Sequence, residues 1–367
     1  MPLRPKPEIE SMVRQGRSPH GGINYAELEA LGIRPEDILD FSANLNPFGP
    51  PPEVREHLGK VDISHYPDTE AITLRKSLAE SLNVGTENIL AGNGSTEIIR
   101  LAMQAYLAQG DRVLIIEPTF GEYEDACRIA GAEIIKQRLS PANDFQLDLT
   151  ETEGLGHQHK PKAIFLCNPN NPTGRYLDRS NVKRLLEITT DSLMIIDEAY
   201  LTFVDYGESS IELIEKGNVL VLRSMTKDYA LAGLRLGYGV ANEEIIATLR
   251  CVCPPWNVNA LAQEAGVIAV RQEQYLEQCR QELIKAKDYL IKELSGLGLP
   301  PLPSEANFFL VKVGNAYEFR QKLLHKGMLV RDCTSFGLPE YIRIAPRTLP
   351  ECKRLVEAVK QVYSPRS

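Results

Sequence analysis

A mostly parallel α/β sheet covered by helices, followed by a smaller α+β unit, is the fold class this sequence predicts, and three observations predict it. Between residues 111 and 241, short and continuously apolar runs alternate with stretches of helical period. Such runs suit strands buried on both faces, the mark of parallel sheets crossed over by helices. Several of them end in polar, glycine or proline clusters, at the strand ends where open sheets bind ligands. After about Pro254 the alternation gives way to a long helical stretch and then to short strands separated by helices.

Taken in order, DRVLIIEP (Asp111 to Pro118) is a strand closed by proline, and GEYEDACRIAG is a helix ending at Gly131. AEIIKQRL, then PKAIFLCNPNNPTG, read as strands, and LDRSNVKRLLEITT as a helix. SLMIIDEAY, NVLVLRSMTK and GLRLGYGVAN are three further strands. A helical stretch from Ala260 to about Leu294 breaks near Gln272, and LGLPPLPSEAN is a proline-rich link. NFFLVKV, the helix AYEFRQKLLHKG, the strands MLVRDC and YIRIAP, and the helix PECKRLVEAVKQVY complete the chain. The expected division is an N-terminal segment over 1–47, a large domain over 48–255 and a linking helix with a small domain over 256–367.

The 367 residues suffice for two domains with a large core. A hydrophobic fraction of 43% and a charged fraction of 25% describe an ordinary globular chain. A net charge of −8 disfavours nucleic acid as the main partner, so an anionic ligand needs a local basic pocket. Seven cysteines, an odd count in mostly apolar or helical contexts, suit reduced thiols in a cytoplasmic protein. No apolar run follows the basic start as a secretory signal requires, and none is long enough for a membrane span. Metal binding is not expected: Cys251 and Cys253 have no histidine nearby, and His157 and His159 read as surface-loop residues.

Four segments carry residues with chemistry. SMTKDYALAGLRLGY supplies Ser224, Thr226, Lys227 and Arg235 just past a strand. Lys227 there is either an exposed loop lysine or a desolvated amine able to form a Schiff base with an aldehyde. The two hydroxyls and the guanidinium beside it make an anion cradle. AGNGSTEIIRLAMQAYLAQG places Ser95 and Thr96 at a helix start behind Gly92 and Gly94. That is either a plain N-cap or a phosphate site. It lacks the third glycine of a dinucleotide fingerprint. MIIDEAY puts Asp197 at a buried strand end, where it either caps the next segment or faces a cation such as a protonated pyridine nitrogen. Tyr200 follows three residues later, and LCNPNNPTG offers Asn171 in a proline-fixed turn.

In this order, with Phe120 after IIEPT, the segments resemble the fold-type I pyridoxal phosphate enzymes of the aspartate aminotransferase superfamily, in the histidinol-phosphate aminotransferase-like branch. The resemblance implies pyridoxal 5'-phosphate as cofactor, with Lys227 joined to its aldehyde and Asp197 holding its ring nitrogen protonated. It implies that Tyr200 and Asn171 contact the ring's phenolic oxygen and that Phe120 stacks on the ring. Ser95, Thr96, Ser224, Thr226 and Arg235 would hold the cofactor phosphate. Tyr66, in HYPD, resembles the tyrosine that reaches the neighbouring subunit's phosphate, implying a homodimer with shared active sites.

Two departures narrow the resemblance. Where the branch carries Asn-Glu-x-Pro, this chain reads SANLNPFGP, with Leu45 at the acid's position, and SPHGGIN precedes it. GNGSDE has become GNGSTE. These features resemble the threonine-phosphate decarboxylases of cobalamin biosynthesis, and the paired glycines would let backbone N–H groups approach an anion. That resemblance implies a phosphorylated amino-acid substrate, L-threonine O-3-phosphate, touched by His20, Gly21, Asn44, Asn171, Arg331 and Arg343. It leaves phosphoserine open as the preferred substrate. Histidinol-phosphate transamination is the nearest alternative. Arg347 reads as a surface residue.

Overall fold

In the computed structural model, residues 3–15 and 19–363 are described. Twelve strands occur among them: β1 (Leu39–Asp40), β2 (Ile89–Asn93), β3 (Arg112–Glu117), β4 (Glu133–Arg138), β5 (Ala163–Cys167) and β6 (Leu193–Asp197), then β7 (Val219–Ser224), β8 (Leu236–Ala241), β9 (Phe309–Lys312), β10 (Met328–Leu329), β11 (Arg331–Asp332) and β12 (Tyr341–Ile344). Seven of them form the main sheet in the order β2-β8-β7-β6-β5-β3-β4. The pairings of β7 with β6, β6 with β5, β5 with β3 and β3 with β4 are parallel, whereas β8 runs antiparallel to both of its neighbours.

Strand alternation explains why these runs look continuously apolar. Leu114, Ile116, Ile164, Leu166, Met194, Ile196 and Val221 enter one core cluster. Their chain neighbours Val113, Ile115, Phe165, Ile195, Leu220 and Leu222 enter the other. Both faces are buried, so no polar alternation remains. Glycine adds close approach where helix meets sheet: a Cβ on Gly266 would lie 2.6 Å from Leu74 and 2.7 Å from Leu236. The fold class is therefore the expected one.

The antiparallel sheet β11-β12-β9 lies apart, backed by helices Glu273–Gly296 and Leu349–Val362. Phe41, Leu290, Phe309, Val330, Ile344 and Leu355 share its core. The break expected near Gln272 separates helices Ala260–Ala269 and Glu273–Gly296. MLVRDC is two short strands rather than one: β10 pairs in parallel with β1, while β11 pairs with β12. The N-terminal segment takes the partner that a single strand would have kept. His157 and His159 lie not in a loop but in the last turn of helix Leu149–His159, which Asp148 caps through the Thr150 and Glu151 N–H groups. Gly154 and Gly156 weaken the helical signal there. Arg347 is half-buried rather than on the surface, because it donates to Asp40 O and pairs with Glu351. Among the described residues no helix is long and apolar enough to cross a membrane, and no cluster of metal-ligating side chains occurs.

Candidate active site

The ends of β2, β3, β5, β6 and β7 share one edge of the main sheet, and antiparallel β8 brings its start, beside Arg235, to the same edge. A cavity of about 640 Å³ opens there. Of the site residues expected from the sequence, all but Tyr66 line it. Tyr66 is 79% exposed and stacks on Trp256, with ring centroids 4.4 Å apart.

Asp197 ends β6 and is buried. Its Oδ2 accepts from the Tyr123 hydroxyl at 2.7 Å and its Oδ1 from the Ala199 N–H at 3.0 Å. Burial pushes its carboxyl above the ordinary aspartate range, while those two bonds and the Lys227 charge oppose the shift. Lys227, half-buried in the cavity wall, has its amine pushed down to about 8. Burial is the main cause, followed by the neighbouring Arg343 and Arg235 charges. Ser224 and Thr226 are buried with their hydroxyls 2.7 Å apart. Across from them helix Ser95–Tyr106 begins behind Gly94, whose φ of +76° suits glycine. A Cβ there would meet an Arg235 Nη at 2.9 Å, and one on Gly237 would meet the Ser95 nitrogen at 2.4 Å. These glycines leave an open cradle between the helix start and Arg235.

The opposite wall comes from the N-terminal segment and the smaller sheet. Arg343, on β12, donates to Ser42 O at 2.7 Å and to Asn171 Oδ1. Arg331, on β11, donates to His20 O at 2.9 Å, Pro19 O at 2.7 Å and Ser335 Oγ at 2.7 Å. Burial, and then Arg343, lowers Arg331 to about 10. Asn44 donates to the Tyr200 hydroxyl at 3.3 Å, and burial raises that phenol to about 12. His20 Nε2 lies 3.0 Å from Glu122 Oε1, and its ring is tilted against Phe120 at 5.6 Å. Glu122 also accepts from Arg100 at 2.9 Å; its carboxyl is held below the usual range, chiefly by the His20 hydrogen bond.

Within SPHGGIN, Pro19, His20 and Gly21 thus wall the cavity; Ser18 lies outside the described residues. Gly21 presses so close that a Cβ would sit 2.4 Å from Ser42 O and 3.3 Å from an Arg343 Nη. Gly22 donates its N–H to Ser42 Oγ at 2.8 Å.

Sequence reasoning passed over Tyr123, Glu122, Ser42 and Ser335. Tyr123 and Glu122 sit in an amphipathic helix that reads like any other, and only the fold brings Tyr123 to Asp197, 74 residues away.

The donor set fits pyridoxal phosphate. An amine suited to an aldehyde and a buried carboxylate suited to a ring nitrogen share one cavity with a glycine-lined, hydroxyl-rich phosphate cradle. The buried Nε atoms of Arg331 and Arg343 and Oδ1 of Asn44 have no protein partner, which leaves polar capacity on the opposite wall.

Comparison with known proteins agrees. Residues 36–359 match the model of the family described as aminotransferase class I and II. Histidinol-phosphate aminotransferase of Methanocaldococcus jannaschii is 38% identical over 347 residues, covering 91% of this chain and 92% of that protein. The crystal structure of the Clostridium acetobutylicum histidinol-phosphate aminotransferase superposes with a TM-score of 0.82 at 27% identity, covering 89% of this chain and 99% of that one. L-threonine-O-3-phosphate decarboxylase from Porphyromonas gingivalis superposes at 0.78 with 31% identity, covering 88% and 98%. The chain belongs to the aminotransferase class I and II family, whose enzymes use pyridoxal 5'-phosphate.

Proposed function

We propose that this chain decarboxylates a short phosphorylated amino acid, L-threonine O-3-phosphate, to (R)-1-amino-2-propanol O-2-phosphate. The observation that carries the reading is the His20–Gly21 turn seated across the cavity, with the Pro19 and His20 carbonyls held by Arg331 and Gly21 against Ser42 and Arg343. It gives the substrate wall a third donor group beside two guanidiniums, suited to a compact molecule with both a phosphate and a carboxylate. Leu45 removes the acid that the aminotransferase motif carries at that position.

When bound, the cofactor supplies an aldehyde for the substrate amine and a ring that withdraws electrons from Cα. Lys227 would hold the cofactor, then deliver a proton to Cα in place of the departing carboxylate; an amine near 8 is suited to carrying that proton. Asp197, fixed by Tyr123 and Ala199, would keep the ring nitrogen protonated. Arg331, Arg343, His20 and Asn44 would orient the substrate so that its Cα–carboxylate bond stands perpendicular to the ring, the pose that selects carbon dioxide as the leaving group. Tyr66, on the exposed face with Trp256, would reach a second copy's cofactor phosphate, making the working unit a homodimer.

A second reading, histidinol-phosphate transamination, is favoured by the names of the Methanocaldococcus relative and the Clostridium structure, and on family grounds they weigh more than the Porphyromonas decarboxylase structure. Two arginines would also serve the dicarboxylate half of a transamination, so the turn and Leu45 carry the distinction. The test is direct: the cofactor-loaded protein is given phosphothreonine, then histidinol phosphate with 2-oxoglutarate. Carbon dioxide from the first supports decarboxylation. Glutamate from the second, with no carbon dioxide from the first, overturns it.

A further inference from the structure

The loop after β1 reaches the lysine segment from behind. Asn46 is buried, 3% exposed, in SANLNPFGP. Its main-chain N–H donates to Lys227 O at 2.9 Å, and its side-chain Nδ2 donates to Asp228 O at 2.9 Å. Its Oδ1 accepts from the Phe48 N–H at 3.1 Å, which fixes the amide's orientation. Two consecutive carbonyls of the lysine segment therefore end on one residue 181 positions earlier than Lys227. The segment has few other ties: the Lys227 N–H makes a long 3.5 Å bond to Ser224 O, and the Asp228 carboxylate accepts from the Thr202 hydroxyl and the Tyr229 N–H.

The same loop organises the opposite wall. Asp40 Oδ1 accepts from the Ser42 and Ala43 N–H groups and from the Ser42 hydroxyl, which stiffens the turn. Ser42 O then receives Arg343, and Asn44 reaches Tyr200. One short loop thus sets the lysine, the phenol and a substrate-side guanidinium in one frame.

We propose that Asn46 is a positioning residue for Lys227: its paired donors hold the Lys227–Asp228 backbone so that the amine points into the cavity at a fixed distance from Asn44 and Arg343. A side chain that only stabilised its own loop would not need to place Nδ2 on the carbonyl next to the lysine. The inference rests on Lys227 carrying the cofactor. It does not depend on which amine is the substrate.

Asn46→Ala and Asn46→Ser both remove the bond to Asp228 O, the hydroxyl of the second being too short to reach. The cofactor-free variants are mixed with pyridoxal phosphate, and covalent attachment to Lys227 is followed by visible absorbance and borohydride trapping, with no substrate present. Attachment is expected to slow at least tenfold. In the loaded enzyme, kcat should fall about ten- to hundredfold with KM within threefold of the parent, for whichever substrate turns over. Amide hydrogen exchange across 224–230 should rise in both variants. If the alanine variant does not fold, the serine variant decides. Parent-like attachment and kcat, with only the melting temperature lowered, would overturn the proposal. Failure of attachment in the parent would instead strike at the role of Lys227 itself.

Discussion

The two walls of the cavity are built in different ways. The cofactor wall is made of strand ends, and most of its side chains find partners at the same sheet edge, Tyr123 on Asp197 and Ser224 beside Thr226, while Tyr200 and the Lys227 backbone lean on the loop after β1. The substrate wall is assembled from segments more than 300 residues apart, with Arg331 gripping carbonyls at 19 and 20 and Arg343 gripping Ser42. One wall comes with the sheet; the other exists only once the two ends of the chain have met. Substitutions in the first should disturb cofactor and turnover together, whereas those in the second should spare the cofactor and change only what is done to substrate.

The largest effect is expected at Lys227. Lys227→Ala should abolish covalent attachment and lower turnover by about 10⁴-fold or more, since among the described residues no second amine lines the cavity. A trapped label on another side chain would break the assignment of this wall. Arg343→Ala should leave the cofactor absorbance intact and cut kcat/KM by about 10²–10³-fold, the cost of losing a buried charged anchor. Normal turnover in that variant would mean that the substrate anchor lies elsewhere. Tyr123→Phe removes a hydrogen bond to a buried carboxylate, a loss of about 1.5–3 kcal/mol, and should weaken cofactor binding about ten- to hundredfold, read by equilibrium dialysis. Gly21→Ala forces a Cβ against Ser42 O and should raise substrate KM about tenfold with an unchanged spectrum. An altered spectrum would erase the separation between the walls.

The smallest expected effect is in pH. With the amine near 8, its reactive neutral form should gain about fivefold between pH 7 and pH 8, and cofactor attachment should quicken by that factor before levelling above pH 9. The sign for folding is the same. The folded chain holds this amine below its usual 10.5, so the unfolded chain binds more protons between about 8 and 10.5. The Lys227 contribution to stability of the cofactor-free protein therefore rises with pH through that window and is flat below it. A rate still rising about tenfold per pH unit above pH 9 would mean that the amine is not held near 8.

The contrast also explains what the sequence discloses. β3, β5, β6 and β7 are legible because both faces are apolar, and Asp197, Ser224 and Lys227 stand out as polar interruptions of those runs. Twinned glycines and a proline marked the His20 turn as unusual, though not what it touches. β1, β10 and β11 are two residues each, too short for any period to show, and β1 finds its partner β10 only across 289 positions of the chain. Asn46 was hidden for another reason: its hydrogen bonds go to main-chain carbonyls, which carry no residue signature. Glu122 and Arg100 carry no sequence signal of their own, because only the fold brings His20 to Glu122, 102 positions away.

The Tyr66–Trp256 stack has an optical consequence. Trp256 is the chain's sole tryptophan, 45% exposed, and it shares its face with the tyrosine. Whatever covers that ring pair dehydrates the protein's single indole chromophore. Emission wavelength alone then reports association at this rim, free of background from any other site.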